Sequence, residues 1–340
     1  MKQIQSFNQF INESLNEDTN DLFKVYLAID PDSGHRWWSY KGFASDNFFI
    51  QINKDNYKDI DINPDYPILT YNSGVVEILL KEGLVKKENV YNRPEFIKQS
   101  GSKAEFHKIV DGDENIPQTC HDEKEALEIG FPLIAKPAEG HSGIGIQVFK
   151  SQEDWDKADH SKFDVYSEFV DKKSEHRIIN FKGDAFFWME REPLNDKAKS
   201  GDGDGKEEMN FKYIKRDITT LPEKFKTLIE KFCDKFKDLP YICFDIMEDQ
   251  EGKLYIIESN SQPGVPYDST VQIYRKIFKD FYGREVNKDT DKALTKLSND
   301  LDKMSGVNPN EDPNPEGNED GPSNYGVNPK KDKSMKSENK

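Results

Sequence analysis

The sequence has little cysteine, no long apolar run and fewer basic than acidic residues. Cys120, Cys233 and Cys243 are its three cysteines among 340 residues, and their spacing matches neither a zinc motif nor a CxxC pair, so we expect a reducing compartment. No apolar run reaches membrane-spanning length, and the N-terminus lacks the apolar region of a signal peptide. The formal net charge of −16 argues against nonspecific binding of nucleic acid. We therefore expect a soluble, cytoplasmic protein that binds neither nucleic acid nor membranes.

Hydrophobic periodicity and composition divide the chain into four stretches. Residues 1–21 have the apolar stripe of an amphipathic leader helix. Residues 22–90 alternate short strands with a helix that ends at Gly83, which predicts a small α/β domain. Residues 91–285 predict a larger unit of helices, strands and hairpins. Residues 286–340 are acidic and poor in apolar periodicity, which predicts a disordered, low-complexity tail.

The larger unit contains clear start and stop signals. A helix of seven residues is expected to end before Gly130. A long amphipathic helix is expected before the last hairpin, with a capping box formed by Thr220 and Glu223. The polar stretch Asn195–Glu208 is expected to be a surface loop. Further strands are expected at Phe23–Ile29, Asn47–Ile52 and Tyr66–Tyr71, and further helices at Gly74–Glu82, at about Arg93–Val110 and near Ser269–Tyr282.

Three oxygen-bearing side chains interrupt an apolar hairpin, CFDIMEDQEGKLYIIESNSQPG, which turns at residues 249–252. A four-residue turn pairs Asp245 with Ile256. Glu258 is then a diagonal neighbour on the same face, and Asn260 lies one step further along. Carboxylates this close repel each other unless a cation lies between them, and an all-oxygen set suits Mg²⁺. A solvent-facing polar strand is the alternative interpretation.

A lysine inside an apolar strand precedes a glycine-rich turn in PLIAKPAEGHSGIGIQVF. Lys136 is followed by Gly140, Ser142, Gly143 and Gly145. A buried lysine needs an anion, and small residues let backbone N–H groups approach phosphate oxygens. The stretch is not a Walker loop, because GxxxxGK[ST] is absent and a strand follows. An ordinary glycine-rich hairpin with a snorkelling lysine is the alternative.

A third stretch, YSEFVDKKSEHRI, places Glu168 at the end of a strand and Glu175 seven residues later. The extended backbone of Glu168, Phe169 and Val170 can offer main-chain groups to an adenine edge. The carboxylate of Glu175 can accept hydrogen bonds from ribose hydroxyls. Solvated acids beside a strand are the alternative.

The order of these stretches resembles the ATP-grasp superfamily over roughly residues 91–282. Asp245 together with ESNSQPG at 258–264 is similar to the metal hairpin of glutathione synthetases, ribosomal-protein glutamate ligases, D-alanine–D-alanine ligase and tubulin-tyrosine ligases. Lys103 precedes a helix and the stretch ENIPQT, as the first ATP lysine of that superfamily does. Arg177 follows Glu175 in an E-x-R pattern that many of its members share.

The resemblance implies an ATP-grasp fold, in which two α+β subdomains clasp ATP between them. Lys103 and Lys136 would hold the phosphates beneath a flap at residues 140–145. Glu258 would bridge two Mg²⁺ ions, with Asp245 and Asn260 each completing one and Mn²⁺ a possible substitute. The implied activity is that of an ADP-forming ligase, which joins a carboxylate to an amine of a small molecule, peptide or protein through an acyl phosphate.

One departure concerns the arginine that some of these ligases keep two residues before the metal aspartate, where this chain has Cys243. Its role, holding the acyl phosphate, is expected either to pass to other basic residues or to be absent. Arg191, Lys215 and Arg216 are the expected catalytic residues, with Lys212 a further candidate. His141, in the flap, is expected to contact solvent or phosphate rather than to act as a base.

Two other functions remain open at this point. An ATP-grasp kinase of a small polyol would use the same ATP site. A structural or virion-associated role is the other, because IQSFNQFINESLNE resembles short leaders of tailed-phage proteins, and Ile11-Asn12-Glu13 resembles a prohead-protease cut site. A phage-encoded protein would lie in the host cytoplasm.

Overall fold

The computed structural model describes residues 25–29, 49–137, 145–193, 211–263 and 267–304. The amphipathic leader and the polar loop at 195–208 lie outside these residues. Within them, the strands form three sheets, and no helix is both long enough and apolar enough to cross a bilayer. The mixed α/β fold class expected from the sequence is confirmed.

The first sheet is parallel and lies near the N-terminus, with strand order β2-β1-β3-β4. Both of its faces are buried, because Tyr26 and Ala28 join one apolar cluster while Val25 and Leu27 join another. The helix that follows β3 begins at Asn72, whose Oδ1 accepts a hydrogen bond from the Val75 N–H. The elements are β1 (Val25–Ala28), β2 (Phe49–Ile52), β3 (Ile68–Thr70), α1 (Ser73–Lys81) and β4 (Val90–Tyr91).

The second sheet is antiparallel, with strand order β5-β8-β6-β7. It packs on its own small cluster of aromatic and apolar side chains, which includes Phe149, Trp155 and Tyr166. Two consecutive helices, α2 and α3, connect the first sheet to it. The elements are α2 (Pro94–Gly101), α3 (Lys103–Val110), β5 (Thr119–Cys120), α4 (Glu123–Ile129), β6 (Leu133–Lys136), β7 (Gln147–Phe149), α5 (Gln152–Asp156) and β8 (Val165–Glu168).

The third sheet has five antiparallel strands in the order β11-β10-β9-β12-β13. One face packs against helix α6, where Ile178 and Phe244 contact the apolar stripe of that helix. The other face is apolar only at one end, where Cys243 and Tyr241 join the cluster that contains α7. The elements are β9 (Lys172–Phe181), β10 (Asp184–Pro193), β11 (Phe211–Arg216), α6 (Glu223–Lys235), β12 (Tyr241–Asp249), β13 (Leu254–Asn260), α7 (Tyr267–Tyr282) and α8 (Lys288–Met304).

The expected capping box of α6 is wrong. The helix begins after Pro222, which makes no side-chain capping bond. The hydroxyl of Thr220 instead donates to the Asp217 carbonyl at 2.7 Å, within a short 3-10 turn. Because the helix begins at Glu223, two residues later than the box requires, Thr220 belongs to the preceding turn.

The start of the expected tail is also wrong, because α8 occupies residues that composition assigns to disorder. Leu294 is fully buried in the cluster that contains α7. Asp291 accepts a hydrogen bond from Nε of Arg275 at 2.6 Å. A single apolar stripe among many charges is enough to dock a helix, although it barely raises the mean hydropathy of the stretch. Residues 305–340 lie outside the described part of the chain.

The docking of α8 predicts a large difference between two substitutions on that helix. Leu294→Ala should lower the free energy of unfolding by about 2–5 kcal/mol, because it opens a cavity in a closed cluster. Lys292→Ala, at a side chain that is 80% exposed, should change it by less than about 0.5 kcal/mol. Urea denaturation of both variants measures the difference. Equal, small effects would mean that α8 contributes nothing to the core.

Candidate functional site

The hairpin of β12 and β13 brings the three predicted metal-binding side chains to one face of the third sheet. Asp245 lies opposite Glu258, and Cys243 lies opposite Asn260. A bulge between Asp245 and Ile246 shifts the register, so the predicted pairing of Asp245 with Ile256 is wrong. Because β13 has one extra residue at the bulge, the two carboxylates lie directly opposite each other and not diagonally.

Asp245 already has a cationic partner on the neighbouring strand. Arg177 lies opposite it in β9, and its Nε and Nη2 each donate to one carboxylate oxygen at 2.8 Å. Nη1 of Arg191 lies 3.5 Å from Oδ2 of the same carboxylate. Burial by itself would raise the pKa of Asp245, but the charge and hydrogen bonds of Arg177 outweigh it and lower the pKa. Asp245 is therefore a buried carboxylate that stays ionised.

Glu258 has the opposite electrostatic character. The Glu258 side chain is exposed to solvent at the floor of the cleft. Many protein atoms nevertheless lie close to its carboxyl group and reduce its hydration. Burial among these groups raises its pKa, and the charge of Asp245 raises it further. Asn260, one residue beyond Ser259, uses Oδ1 to accept the N–H of Gln262 at 2.7 Å. One lone pair of that oxygen is thus already in use.

Two lysines approach this face from the second sheet and from α3. Lys136 ends β6, and Lys103 donates to the carbonyl of Pro137 at 3.2 Å. Burial lowers the pKa of Lys136, the charge of Glu258 opposes this effect, and Lys103 adds to it. The ammonium groups of Lys103 and Lys136 are neighbours, and the charge of Glu258 offsets theirs only in part. Such a site favours an anion.

A pocket opens beside these lysines, between the second and third sheets. The predicted main-chain segment at Glu168, Phe169 and Val170 lies in its wall. The N–H of Phe169 donates to the Pro132 carbonyl at 3.1 Å, so that amide is not available to a ligand. The lining residues are Pro117, Ile134, Lys136, Ser167, Glu168, Phe169, Val170, Asp171, Lys172, Met247 and Ile257.

Glu175 lies deeper than a ribose acceptor at a pocket rim would. Only 3% of its side chain is exposed, and Oε2 accepts a hydrogen bond from Lys172 at 2.8 Å. Its other oxygen pairs with Arg191, which lies opposite it in β10. Glu175 thus connects the pocket, through Lys172, with the arginine beside Asp245. Its role toward ribose stays a prediction.

The expected catalytic residues of β11 lie on opposite faces. Lys215 shares the face of Met189, its partner in β10, and its Nζ lies 5.5 Å from the centre of the Phe187 ring. Arg216 lies opposite Trp188 on the face of α6 and pairs with Glu190 at 2.6 Å. The structure therefore brings Lys215 toward the site and leaves Arg216 outside it.

Most of the predicted flap lies outside the described residues, including Gly140, His141, Ser142 and Gly143. Gly145 is described and has a φ of +79°, where a Cβ would also come within 3.2 Å of the Pro137 ring. The positive φ favours glycine there, and the close approach of the Pro137 ring adds to the preference. The chain thus turns sharply next to the strand that carries Lys136.

Sequence reasoning missed several parts of this site. The apolar walls Ile134, Met247 and Ile257 come from three strands, and no sequence pattern links them. The E-x-R pattern identified Arg177 but not its partner Asp245, 68 residues away. Only the pairing of β9 with β12 brings these two side chains together.

His107 follows Lys103 by one helical turn on α3. Burial lowers its pKa to about 4, and the charges of Lys136 and His121 act in the same direction. Its ring centre lies 6.1 Å from that of His121. A neutral imidazole therefore lies beside the two lysines at neutral pH.

This environment predicts a pH dependence of stability. Because the folded pKa of His107 lies below the unfolded value of about 6.5, its contribution is complete above that pH. It is lost as the pH falls from about 6.5 to about 4. Replacing it in His107→Gln should reduce the slope of unfolding free energy against pH in this window by up to about 1.4 kcal/mol per pH unit. Identical slopes for wild type and variant in denaturation from pH 7.5 to 5 would contradict the prediction.

Comparison with known proteins agrees with the architecture. No family model matches the chain. D-alanine–D-alanine ligase B of Pseudomonas syringae pv. tomato is 26% identical over 159 residues, which cover 43% of this chain and 47% of that protein. The match thus spans about half the length of this curated relative.

Solved structures match over a longer part of the chain. D-alanine–D-alanine ligase of Bacillus anthracis has a TM-score of 0.53 at 16% identity, covering 84% of this chain and 100% of that one. The same enzyme complexed with ATP has a TM-score of 0.51 at 17% identity and covers 84% and 99%. At this identity the likeness concerns the fold. The two sheets that face each other across the pocket, preceded by a parallel sheet, have the ATP-grasp fold.

Proposed function

We propose that the protein is an ATP-dependent ligase that joins a carboxylate to an amine. The observation that carries the proposal is the single cleft in which Lys103 and Lys136 meet Asp245 and Glu258, beside an apolar pocket. A nucleotide site of this kind has three requirements. They are cations that favour phosphate, oxygens that favour a divalent metal, and a pocket for a flat ring. The likeness in fold to an ATP-binding ligase supports the same interpretation.

The pocket suits adenine in chemistry. Ile134, Met247 and Ile257 give it apolar walls, and the chain at Glu168 and Val170 gives it polar main-chain edges. Such pockets bind flat ligands mainly by apolar contact, with a few polar groups that fix the orientation. Because the Phe169 amide already bonds to Pro132, the carbonyl of Glu168 and the N–H of Val170 are the groups we assign to the adenine edge.

The basic residues suit the phosphates. Lys136 lines the pocket, and both Lys136 and Lys103 interact with Glu258 of the acidic hairpin, so we expect a triphosphate that extends from the pocket to meet these lysines first. Preoriented cations stabilise the charge that shifts during phosphoryl transfer without having to reorganise. Arg191 lies next along this path, held by Glu175 and close to Asp245.

The hairpin residues fit Mg²⁺ or Mn²⁺ by donor chemistry. Glu258, Asp245 and Asn260 offer carboxylate and amide oxygens on one face, which are the ligands of hard cations. The described residues contain no group of three or more histidine, cysteine or acidic side chains that would hold a metal alone. A metal here would complete its shell with water and phosphate oxygens. When bound, it would neutralise charge on the phosphates.

The reaction that this arrangement supports has two steps. A substrate carboxylate attacks the γ-phosphorus of ATP, and ADP leaves. An amine then attacks the carbonyl carbon of the acyl phosphate, loses a proton and expels phosphate. Cys243 stands where some ligases have an arginine that holds the acyl phosphate. We assign that role to Arg191 and Lys215, which lie on the same face of the sheet as Arg177. Arg216 is excluded from this role by its position on the other face.

The test of the proposed function is phosphate release with ATP and Mg²⁺ against a panel of amino acids, peptides and proteins. An amide product with ADP and phosphate supports the ligase. A stable phosphoester would indicate a kinase. The absence of nucleotide binding would favour a structural role. The identity of the two substrates, a phage origin and the cytoplasmic location stay predictions.

Lys136→Met tests the phosphate assignment directly. The variant keeps the packing of the stem but loses the charge, so ATP affinity should fall by roughly 10–100-fold, as expected for a hydrogen bond to a charged group. Lys162→Met removes an exposed lysine of the same subdomain, with 69% of its side chain exposed, and should leave affinity unchanged. Displacement of a fluorescent ATP analogue measures both. Equal affinities would give Lys136 a structural role.

Glu258→Gln separates chemistry from folding. The variant should abolish phosphoryl transfer, because it removes the charge assigned to the metal. It should leave the ligand-free protein at least as stable, since it relieves repulsion by Asp245. Glu251→Gln, at the exposed turn of the same hairpin, is the matched control and should change neither property. A large loss of melting temperature in Glu258→Gln alone would show that the carboxylate stabilises the fold.

A further inference from the structure

The pair formed by Arg177 and Asp245 bears on how a metal could enter the site. Both oxygens of Asp245 accept hydrogen bonds from Arg177 at 2.8 Å. The side chains are 19% and 6% exposed. A two-point pair between guanidinium and carboxylate is the strongest common form of this interaction. The carboxylate assigned to a metal is thus already neutralised by the protein.

The strand register fixes this pair in place. Arg177 lies directly opposite Asp245 across β9 and β12, and Met189 lies opposite Arg177 across β10. Arg177 therefore belongs to the rigid centre of the sheet and not to a loop. Arg191 reaches the same carboxylate from the next strand at 3.5 Å, so a second guanidinium reinforces the first.

Among the groups joined to Asp245, Glu258 and Glu175 by contacts or charges, cations outnumber anions, while the acidic Glu168 and Asp171 line the neighbouring pocket. The acidic groups of this set are Glu175, Asp245 and Glu258. The basic groups, which contact or interact with them, are Lys103, Lys136, Lys172, Arg177 and Arg191. A free divalent cation is repelled by such a site, whereas a polyphosphate is attracted.

We propose that Arg177 occupies the metal-binding carboxylate in the ligand-free protein, so that a divalent metal binds there only together with a nucleotide. The proposal rests on the proposed nucleotide site. It makes Arg177 a positioning residue that sets the order of binding. The negative charges of a polyphosphate reverse the sign of the cleft and supply the oxygens that the metal lacks. The metal can then displace the guanidinium of Arg177 from the oxygens of Asp245.

The wild-type protein provides the first test, with Mn²⁺ as the probe. Electron paramagnetic resonance of free Mn²⁺ measures binding to the full chain with and without ADP, against ADP alone. We expect little binding by the ligand-free protein at millimolar Mn²⁺. With ADP, we expect at least tenfold tighter binding than ADP alone gives. Micromolar binding of Mn²⁺ to the ligand-free protein would overturn the proposal.

Variants of the arginine provide the second test. Arg177→Met should raise the affinity of the ligand-free protein for Mn²⁺ by at least tenfold, because it removes both hydrogen bonds of Arg177 to Asp245 and leaves only Arg191, at 3.5 Å, beside that carboxylate. Arg177→Lys keeps the charge but cannot bind both oxygens at once, and its affinity should lie between those of wild type and Arg177→Met. Arg216→Met removes the same side chain from the opposite face of the sheet and should leave the affinity unchanged. If Arg177→Met fails to fold, the Mn²⁺ affinities of Arg177→Lys and of the wild-type protein still test the proposal.

The outcomes separate this proposal from the proposed function. An Arg177→Met variant that folds but binds Mn²⁺ no more tightly than wild type overturns the role of Arg177, whatever the protein does with ATP. A fluorescent nucleotide that binds no form of the protein overturns the proposed function. The effect of Arg177 on Mn²⁺ alone would then still be measurable. A merely structural arginine would lower the melting temperature without changing the affinity for Mn²⁺.

Discussion

The alternation of side chains along β9 and β12 is the constraint on which the rest of the structure depends. Every second residue points into the core beneath α6, where Ile178 and Phe244 are fully buried. The alternate residues of the two strands, which include Arg177 and Asp245, point into the cleft on the other face of the sheet. A slip of one residue would exchange the two sets. Burial of the apolar set therefore fixes the position of the charged set.

The same face changes character along its length. Toward one end, Cys243 and Tyr241 pack against α7 and the first sheet. Toward the other, charged groups replace them and open the cleft. Each buried carboxylate there has a cation from a neighbouring strand, as ion pairs in a partly desolvated place require. Arg177 therefore keeps Asp245 ionised without a metal, whereas the charge of Asp245 still raises the pKa of Glu258, so the expected repulsion between the two carboxylates remains.

A single asparagine joins the parallel sheet to this arrangement. Asn92 adopts a positive φ of 57°, which asparagine tolerates better than most residues. Its side chain is fully buried, donates to the carbonyls of Tyr241 and Ser261 at 2.6 and 3.0 Å, and accepts the N–H of Tyr241 at 3.1 Å. The chain leaving the first sheet is thereby held at the start of β12 and at the end of the acidic hairpin. These bonds hold the parallel sheet beside the site together with the apolar cluster that the first sheet shares with β12 and α7.

The sequence by itself determined the elements whose signals are local. The helix before Gly130 lies at Glu123–Ile129 as expected, and strand alternation identified the acidic hairpin and its three oxygen-bearing side chains. Local periodicity suffices for these because each apolar stripe or turn residue acts within a few positions. Composition alone failed at α8, since averaging over the tail hid one buried stripe around Leu294.

Only the tertiary structure decided what depends on contacts between distant strands. The bulge at Asp245 set the register of the two carboxylates, and strand pairing gave Arg177 to Asp245 and Arg191 to Glu175. The sequence of a single strand does not indicate either pairing. A charged residue interrupts the apolar residues of a strand in the same way whether its side chain faces water or a charged partner. The sheet face of Arg216 was undecided for the same reason until β11 paired with β10.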